Sequence, residues 1–223
     1  SPYSITWTPA MGSYSLTAMA EDNEGGTTQS TAVPITIDPI PGRINLALAA
    51  NGAVASASST LSAKYPPSGT IDGDRKGLYW GNGGGWNDGT QNQGPDWLEV
   101  SLKGLKLIEE VNVFSMQDNY SAPVDPTPTM TFSYFGLRGF EVQYWTGSEW
   151  AAVPGGTIAN NNLVWRRVVF APVITTRIRV HITAALNGYS RMMEVEAWGV
   201  ASGGNAAPDV SLTAPVEGAS FTA

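Results

Sequence analysis

Two aspartates in the stretch TIDGDRKGLYW, Asp72 and Asp74, flank Gly73 and have a spacing that suits chemistry. A turn at the glycine would aim both carboxylates at one point, where backbone carbonyls could complete a shell of oxygen ligands. Such a shell suits a hard cation such as calcium, which takes about 6–8 oxygens. The alternative is an Asp-Gly turn with solvated carboxylates, and the local sequence alone favours that alternative.

Three loops, at 79–97, 117–136 and 186–191, are rich in aromatic and amide side chains. Sugars bind where a flat apolar face meets planar hydrogen-bonding groups. Aromatic faces are available from Trp80, Trp86, Tyr120 and Tyr189. Hydrogen-bonding groups are available from Asn82, Asn87, Gln117, Asp118, Asn119, Asn187 and Arg191. The three loops are therefore the candidate ligand-binding surface.

Each aromatic residue in these loops also has a structural interpretation. Trp86 lies among glycines in a polar loop, and exposure is the favoured prediction for it. Trp80 and Tyr189 suit a buried position and a binding platform equally well. Arg191 could pair with an acidic side chain instead of a sugar.

The sequence offers no convincing catalytic arrangement. His181 is the only histidine and has no accompanying serine motif of the kind found in Ser-His-Asp enzymes. The glycine run at 81–86 lacks the strand–loop–helix context of a phosphate-binding loop. Glu109 and Glu110 are predicted to be solvated rather than to face each other across a glycosidase cleft. No enzymatic activity is predicted for this chain, although the parent protein is free to carry a catalytic domain elsewhere.

Composition narrows the choice of partners. The net charge of −7 disfavours nucleic acid and anionic membranes, because both attract clustered lysine and arginine. The absence of cysteine excludes disulfides and thiolate metal sites. No apolar run approaches the ~18–20 residues of a membrane span, so membrane insertion is not predicted. Because the chain starts at Ser1 without a signal peptide, it is expected to be a piece of a longer protein.

Short strands account for most of the predicted structure. In the middle of the chain, strand character marks LEVSL (98–102), VNVFSM (111–116), FEVQYW (140–145), WRRVVF (165–170), RIRVHIT (177–183) and MEVEAW (193–198). Near the start, strands are predicted at 4–8, 13–20 and 32–37, with a turn at 22–26. A hairpin turn is predicted at 146–149. With no convincing helical period, an antiparallel sandwich is the natural packing.

Residues 43–199 resemble the discoidin (factor V/VIII C-type) family, and especially its bacterial branch, carbohydrate-binding module family 32. The resemblance rests on INLAL (44–48), YPPSGTIDGDRKGLYW (65–80), DWLEVSL (96–102), FEVQYWTGSEW (140–150), RIRVHIT (177–183) and YSRMMEVEAWG (189–199). It implies an all-β, eight-stranded jelly-roll β-sandwich with one structural cation.

The resemblance also implies which residues hold that cation. The family's cation loop matches SGTIDGDRKG, and a glutamate of the last strand completes the shell. Carried over by position, the calcium ligands are Gly69, Asp72, Asp74, Gly77, Met193 and Glu194, with the glycines and Met193 acting through their carbonyls. Gly77 departs from the family, which commonly has threonine or serine there. The sugar-binding members often use an arginine and a histidine near 117, where this chain reads QDNY, and this argues against a galactose-type preference.

Both ends resemble bacterial immunoglobulin-like repeats. Residues 1–38 are similar to the last strands of one repeat, and residues 206–223 to the opening of the next, with linkers at 38–42 and 201–208. Unpaired edges on such partial repeats predict strand pairing between the two ends or with another chain.

These features together predict a non-catalytic carbohydrate-binding module of a secreted or cell-surface bacterial protein, with a glycan or polysaccharide as its partner. One alternative is a discoidin-type adhesion domain that binds a protein or lipid ligand. The other is a structural spacer, for which the loop aromatics would pack inward.

Overall fold

A computed structural model of the protein describes residues 12–37 and 42–201. Twelve strands and three short 3-10 turns are found there, and these ranges contain no α-helix. The strands are β1 (Gly12–Leu16), β2 (Met19–Glu21), β3 (Thr27–Gln29), β4 (Val33–Ile37), β5 (Ile44–Asn45), β6 (Val54–Ala57), β7 (Trp86–Asn87), β8 (Asp96–Ser115), β9 (Leu137–Trp145), β10 (Trp150–Ile158), β11 (Trp165–Ala185) and β12 (Arg191–Ala201). The 3-10 turns are Ala49–Asn51, Pro67–Thr70 and Leu186–Gly188.

Residues 12–37 form two small antiparallel pairs, β1 with β4 and β2 with β3. The predicted turn at 22–26 is confirmed, because the Asp22 carboxylate accepts hydrogen bonds from the backbone of Glu24 and Gly26. The predicted strand at 4–8 and the tail at 206–223 lie outside the described residues. The immunoglobulin-like assignment and the pairing of the two ends stay predictions.

Strands β5–β12 form one hydrogen-bonded set of eight strands, which confirms the predicted all-β fold. Two of them are much longer than predicted: β8 has 20 residues and β11 has 21. Each joins two segments that the sequence analysis treated as separate strands. The register between β8 and β11 shifts around 169–177, and Gly104 adopts a φ of 75° in β8, so each strand changes direction without ending.

This change of direction folds the set into two layers. One half of the β8–β11 pair continues into β9, β10 and β6, and the other half continues into β12 and β5. Alternating side chains of both halves, such as Leu98, Val100, Val111 and Val113, belong to one buried cluster. The inner faces of the two layers therefore pack on each other as a sandwich.

The outer face of the β12 layer carries a charged network. Arg43 donates to Glu109 and to Glu110 at 2.7 Å each, and Arg167 donates to Glu110 at 2.7 Å. The prediction that Glu109 and Glu110 are solvated is therefore wrong. Their arginine partners come from distant parts of the chain and meet them only because β8 lies in the middle of the layer.

Among the described residues, no helix is long and apolar enough to cross a membrane.

Candidate functional site

The first candidate site joins the loop after Thr70 to strand β12. The Glu194 side chain is fully buried, and its Oε1 accepts a hydrogen bond of 3.1 Å from the backbone of Gly73. Its Oε2 is buried with no hydrogen-bond partner in the described structure. An orphaned carboxylate oxygen of this kind is costly, and a cation is one way to satisfy it.

The two aspartates of the loop differ in their surroundings. Asp72 Oδ1 accepts a hydrogen bond of 2.8 Å from the backbone of Asp74. The Asp74 carboxylate closes the same turn by accepting from the backbone of Lys76 and Leu78. Asp74 therefore acts as the cap of the turn, which is the structural role that the local sequence favours.

Two carboxyl groups at this site have raised pKa values. Burial, followed by repulsion from the carboxylate of Asp72, raises the pKa of Glu194 to about 9. Burial, with a smaller contribution from Asp74, also raises the pKa of Asp72. Across residues 12–37 and 42–201, no three acidic or histidine side chains converge to hold a metal ion. A cation here would depend on the Asp72 and Glu194 carboxylates together with carbonyl oxygens.

The backbone at position 77 favours glycine. Its φ of 74° lies in the left-handed region, which residues with a β-carbon rarely adopt. A β-carbon at this position would collide with the sulfur of Met193. Met193 in turn packs in a small buried cluster with Phe114 and Met116, so the loop lies directly on β12.

The second candidate site is a cavity of about 430 Å³ between the loops at the start of β12. Its walls come from four separate loop or strand segments: Tyr65, Trp80, Gly81, Asn87, Met116, Tyr120, Phe135 and Arg191. Four of the predicted ligand residues are thus brought together: Trp80, Asn87, Tyr120 and Arg191.

Two aromatic pairs shape the cavity. The ring centroids of Tyr65 and Trp80 lie 4.7 Å apart, and those of Tyr120 and Phe135 lie 5.5 Å apart in an edge-to-face arrangement. Tyr120 is 45% exposed, so part of its ring surface is available to a ligand. Packing between the aromatic rings holds these surfaces in fixed orientations.

The polar groups of the cavity are Asn87 and Arg191, which are direct partners across the β7–β12 pair. Asn87 is only 4% exposed, yet its Oδ1 has no hydrogen-bond partner in the described structure. Arg191 makes no ion pair with described residues, contrary to the alternative considered for it. Only its Nη1 donates, to the carbonyls of Leu186 and Tyr189 at 3.3 and 3.4 Å. Burial lowers the pKa of Arg191, whose guanidinium also lies 5.3 Å from the Phe135 ring.

The predicted exposure of Trp86 is wrong. Trp86 is 0% exposed and belongs to the main core, and its indole nitrogen donates to the carbonyl of Ser59 at 2.9 Å. The reason is the two-residue strand β7, which pairs Trp86 with Met192 and Asn87 with Arg191. Because successive side chains of a strand point to opposite faces, Trp86 turns inward where Asn87 turns to the cavity.

The other predicted ligand residues do not line this cavity. Gln117 is buried and its side chain bonds to both the backbone N–H and the carbonyl of Val124, so it braces its loop. Asp118 accepts from the backbone of Ser133 and Tyr134. Asn119 caps a turn through the carbonyl of Ala122. These side chains hold the 117–136 loop in shape.

Three further predicted residues are not among those that line the cavity, although the ring of Tyr189 lies 5.1 Å from the Arg191 guanidinium. Asn82 and Asn187 are exposed. Tyr189 lines a neighbouring hollow of about 210 Å³ together with Asn92 and Ser190.

Sequence reasoning missed Tyr65 and Phe135. Phe135 lies in a loop that was identified as aromatic, but nothing in the sequence separates it from the more exposed Tyr134. Tyr65 precedes two prolines, and no local pattern indicates that it meets Trp80.

Comparison with known proteins addresses the fold. No protein-family model and no curated protein sequence matches the chain. Solved structures do match it. A family 32 carbohydrate-binding module of NanJ from C. perfringens, in complex with galactose, is 18% identical with a TM-score of 0.50, covering 70% of this chain and 98% of that module.

Two further structures match equally well. Chitosan-binding module 1 of a chitosanase/glucanase from Paenibacillus sp. IK-5 is 20% identical with a TM-score of 0.52, covering 70% of this chain and 99% of that one. A Streptococcus pneumoniae fucose-binding module is 20% identical with a TM-score of 0.52, covering 73% of this chain and 99% of that one. This chain has their discoidin-like β-sandwich fold.

Proposed function

We propose that the discoidin-like sandwich is a non-catalytic glycan-binding module and that the cavity at Asn87 and Arg191 is its sugar site. The observation that carries this proposal is the unpartnered, buried Oδ1 of Asn87 beside a guanidinium that lacks an ion-pair partner. Such an arrangement leaves one acceptor and several donors unused in the free protein, although each would gain from a partner.

A sugar supplies the complementary groups. One hydroxyl can donate to Asn87 Oδ1, while a neighbouring hydroxyl oxygen accepts from Arg191. The C–H faces of a sugar ring can pack on the exposed parts of Trp80 and Tyr120. Single-site affinity is expected to be weak, because a site for a short sugar segment buries little surface, and tandem modules would compensate through effective concentration.

The similar structures support a sugar ligand without selecting one. Their names record galactose, chitosan and fucose as ligands of closely similar folds. The wall of this cavity has an arginine and an asparagine but no histidine. The proposal therefore specifies no particular sugar. We place the module in a secreted or cell-surface bacterial protein, where glycans are accessible.

A structural calcium ion is the second part of the proposal. The orphaned Oε2 of Glu194 and the raised pKa values of Glu194 and Asp72 fit a hard cation bound by oxygen. The full proposed ligand set is Gly69, Asp72, Asp74, Gly77, Met193 and Glu194. Asp74 would join the Asp72 and Glu194 carboxylates while still capping the turn, because each of its oxygens accepts one backbone hydrogen bond and keeps a further lone pair. The carbonyls of Gly69 and Gly77 already accept one backbone hydrogen bond each, and a carbonyl retains a second lone pair. Bound calcium would supply the positive charge that joins the loop to β12.

A glycan screen of the full chain with calcium, followed by two tryptophan variants, tests the proposal. Trp80→Ala removes a wall of the cavity and is expected to abolish sugar binding in a folded protein. Trp86→Ala removes a fully buried core side chain and is expected to lower the free energy of unfolding by about 3–5 kcal/mol. Calorimetric titration and chemical denaturation separate the two effects.

Several outcomes would contradict this function. If the folded, calcium-loaded protein binds no glycan, the adhesion and spacer alternatives take precedence. Binding to protein-free liposomes would favour a lipid ligand. Unchanged sugar affinity in Trp80→Ala would place the site elsewhere on the sandwich.

A further inference from the structure

A hollow of about 210 Å³ lies beside the sugar cavity, between the loops that precede β8 and β12. We call it the Tyr189 hollow, and its walls include Asn92, Gln93, Asp96, Thr183, Ala184 and Tyr189. It shares no lining residue with the sugar cavity. The two spaces are nevertheless adjacent, because the Tyr189 ring lies 5.1 Å from the guanidinium of Arg191, which lines the sugar cavity.

Hydrogen bonds between the two loops fix the shape of the Tyr189 hollow. The backbone N–H of Asn92 donates to the carbonyl of Gly188 at 2.8 Å. Asp88 and Ser190 are linked twice: the N–H of Asp88 donates to the Ser190 carbonyl at 3.0 Å, and the N–H of Ser190 donates to the Asp88 carboxylate at 2.6 Å. The walls are therefore in place in the free protein, which lowers the ordering cost of binding a ligand.

The amide groups of the Tyr189 hollow are unused in the free protein. Asn92 and Gln93 are exposed, and neither amide side chain forms a hydrogen bond with any residue of 12–37 or 42–201. Each amide offers two donors and an acceptor. Tyr189 is half-buried and lines the same hollow, where its ring adds apolar surface. This combination of a ring and planar hydrogen-bonding groups suits a sugar unit.

Charge determines which kind of sugar fits this hollow. Among the described residues that line it, Asp96 is the only one with a carboxylate, and none carries a cationic group. Asp96 is 7% exposed and already accepts hydrogen bonds from the hydroxyls of Ser190 and Ser58, at 2.8 and 3.3 Å. An anionic sugar would face this carboxylate with no cation of the hollow to compensate it. A neutral sugar unit avoids that repulsion.

The far end of the Tyr189 hollow is open. Thr183 and Ala184, both exposed, line this hollow and also a further one of about 350 Å³ on the β9–β11 pair. Because the two shared side chains are small, no bulky group closes the border between these spaces. The sugar cavity, the Tyr189 hollow and the further hollow therefore follow one another along the surface.

We propose that the sugar cavity and the Tyr189 hollow are two subsites of one groove, and that this groove binds an internal segment of a neutral, linear glycan. The inference rests on the function proposed above for the sugar cavity. It adds a second subsite, the charge of the ligand and the part of the glycan chain that is bound.

Each subsite has its own contacts with the chain. One sugar unit would bond to Asn87 and Arg191 in the sugar cavity. The next unit would pack on the Tyr189 ring, and its hydroxyls would bond to the amides of Asn92 or Gln93. Because the far end of the hollow is open, the glycan would continue beyond it, and binding would require no free chain end.

The test uses the full chain with calcium and the mono- to tetrasaccharides of three neutral β-1,4-linked series, built from galactose, glucose and N-acetylglucosamine. Ligand-observed NMR measures binding of the monosaccharides, and calorimetric titration measures the longer members. The C6-oxidised form of each series adds one carboxylate per unit and leaves the linkage unchanged. A long polymer of the series that binds gives the number of protein molecules per glycan chain.

The main variant is Asn92→Gly/Gln93→Ala, which removes both amides. Glycine is chosen at position 92 because Asn92 has a φ of 57°, a conformation that alanine adopts poorly. The matched control is Asn162→Ala, which removes an exposed amide that lines neither the cavity nor the hollow. Trp80→Ala reports on the sugar cavity separately.

We expect the disaccharide of the series that binds to have about tenfold higher affinity than the monosaccharide, because the second unit gains its own contacts. Asn92→Gly/Gln93→Ala should remove most of that gain and leave the monosaccharide affinity unchanged, whereas Asn162→Ala should alter neither. Trp80→Ala should weaken the binding of every length. The C6-oxidised forms should bind more weakly than the neutral forms, and several protein molecules should bind along one polymer chain. Thermal melts equal to that of the parent protein confirm that the variants are folded.

Four results would overturn this inference. Equal affinities for the mono- and disaccharide, or a gain that the double variant leaves intact, would refute the second subsite and leave the sugar cavity standing. One protein molecule per polymer chain would show that a chain end is bound. Equal or tighter binding of the C6-oxidised forms would refute the assignment to a neutral glycan. A folded protein that binds no member of the three series would refute the groove, and the glycan screen then decides separately on the sugar cavity.

Discussion

At the scale of single residues, Asn87 and Arg191 differ from the other polar groups in the loops. Gln117 and Asp118 already form hydrogen bonds to backbone groups of the free protein, whereas Asn87 Oδ1 has no partner in the described structure. A residue whose polar atom is unused in the free protein contributes little to its stability. Ligand binding is where such a residue can contribute.

This contrast predicts that Asn87→Ala will reduce sugar affinity without reducing stability. No hydrogen bond is broken in the free protein, and removing an unsatisfied buried acceptor is neutral or favourable. The matched control is Asn161→Ala, because Asn161 is also buried but bonds to Leu137 and Leu163. That control should lose about 1–3 kcal/mol of stability and keep its sugar affinity.

Calorimetric titration and urea denaturation of both variants provide the measurement. A destabilised Asn87→Ala that binds sugar normally would reverse the roles assigned to the two asparagines. It would show that Asn87 is a structural residue and that the sugar cavity lies elsewhere.

At the scale of elements, β12 connects the two candidate sites. Its first residue, Arg191, lines the proposed sugar cavity, and Glu194 faces the proposed calcium loop. Glu196 bonds to Arg75 of the same loop. Glu194 and Glu196 share one face of the strand because the side-chain period is two. A single strand, β12, therefore positions residues of both candidate sites.

Calcium is expected to stabilise the loop against this strand. A ligand that binds only the folded state at 100 times its Kd adds about 2.7 kcal/mol to the free energy of unfolding. Removal of calcium by a chelator should lower Tm accordingly, and Glu194→Gln should abolish the difference between calcium and chelator. Scanning calorimetry with and without calcium measures both effects.

The control for this experiment is Asp125→Asn, a highly exposed aspartate that contacts Lys76 of the same loop. It should retain the full calcium effect. An identical Tm with calcium and with chelator in the parent protein would refute the proposed cation site. The glycan-binding proposal would be unaffected by that result.

At the scale of the whole molecule, the eight-stranded sandwich depends on two long strands that pass through both layers. Glu110 on β8 ties this central strand to Arg167 on β11 and to Arg43 before β5. Burial alone would raise the pKa of Glu110, but hydrogen bonds from Arg167 and Asn112, with the charges of Arg167 and Arg43, lower it below its ordinary value of 4.5.

This lowered pKa predicts a specific loss of stability in acid. A carboxyl group whose pKa is lower in the folded state binds its proton more readily when unfolded. Its contribution to stability is therefore present above about pH 4.5 and is lost as the pH falls through the folded-state value. The Glu110→Gln variant should be less stable than the parent at pH 7, and the difference should shrink in acid.

Urea denaturation at several pH values between 7 and 3 provides the measurement. The control is Glu149→Gln, which makes the same charge change at an exposed position of the β9–β10 turn. It should leave the pH dependence of the parent protein nearly unchanged. A Glu110→Gln variant with the full acid slope of the parent would assign that slope to other carboxylates.

Much of this architecture follows from patterns that are local in the chain. Period-two alternation in segments such as 98–102 and 177–183 identifies strands because each side chain faces either the core or the solvent. The turn residues at 22–26 and 146–149 mark reversals because their backbone preferences are local. The turn at Asp72–Asp74 was also predictable, since its residues are adjacent in the chain, whereas the cation stays a prediction.

The direction in which each loop aromatic faces depends on partners that are distant in sequence. Trp86 is buried because Met192, more than a hundred positions away, pairs with it, and the same register carries Asn87 beside Arg191. The continuity of β8 and β11 likewise depends on their pairing with each other across a corner of the sandwich. Periodicity can show that a residue alternates, but which of the two faces is the inner one is set by the strands that pack against it.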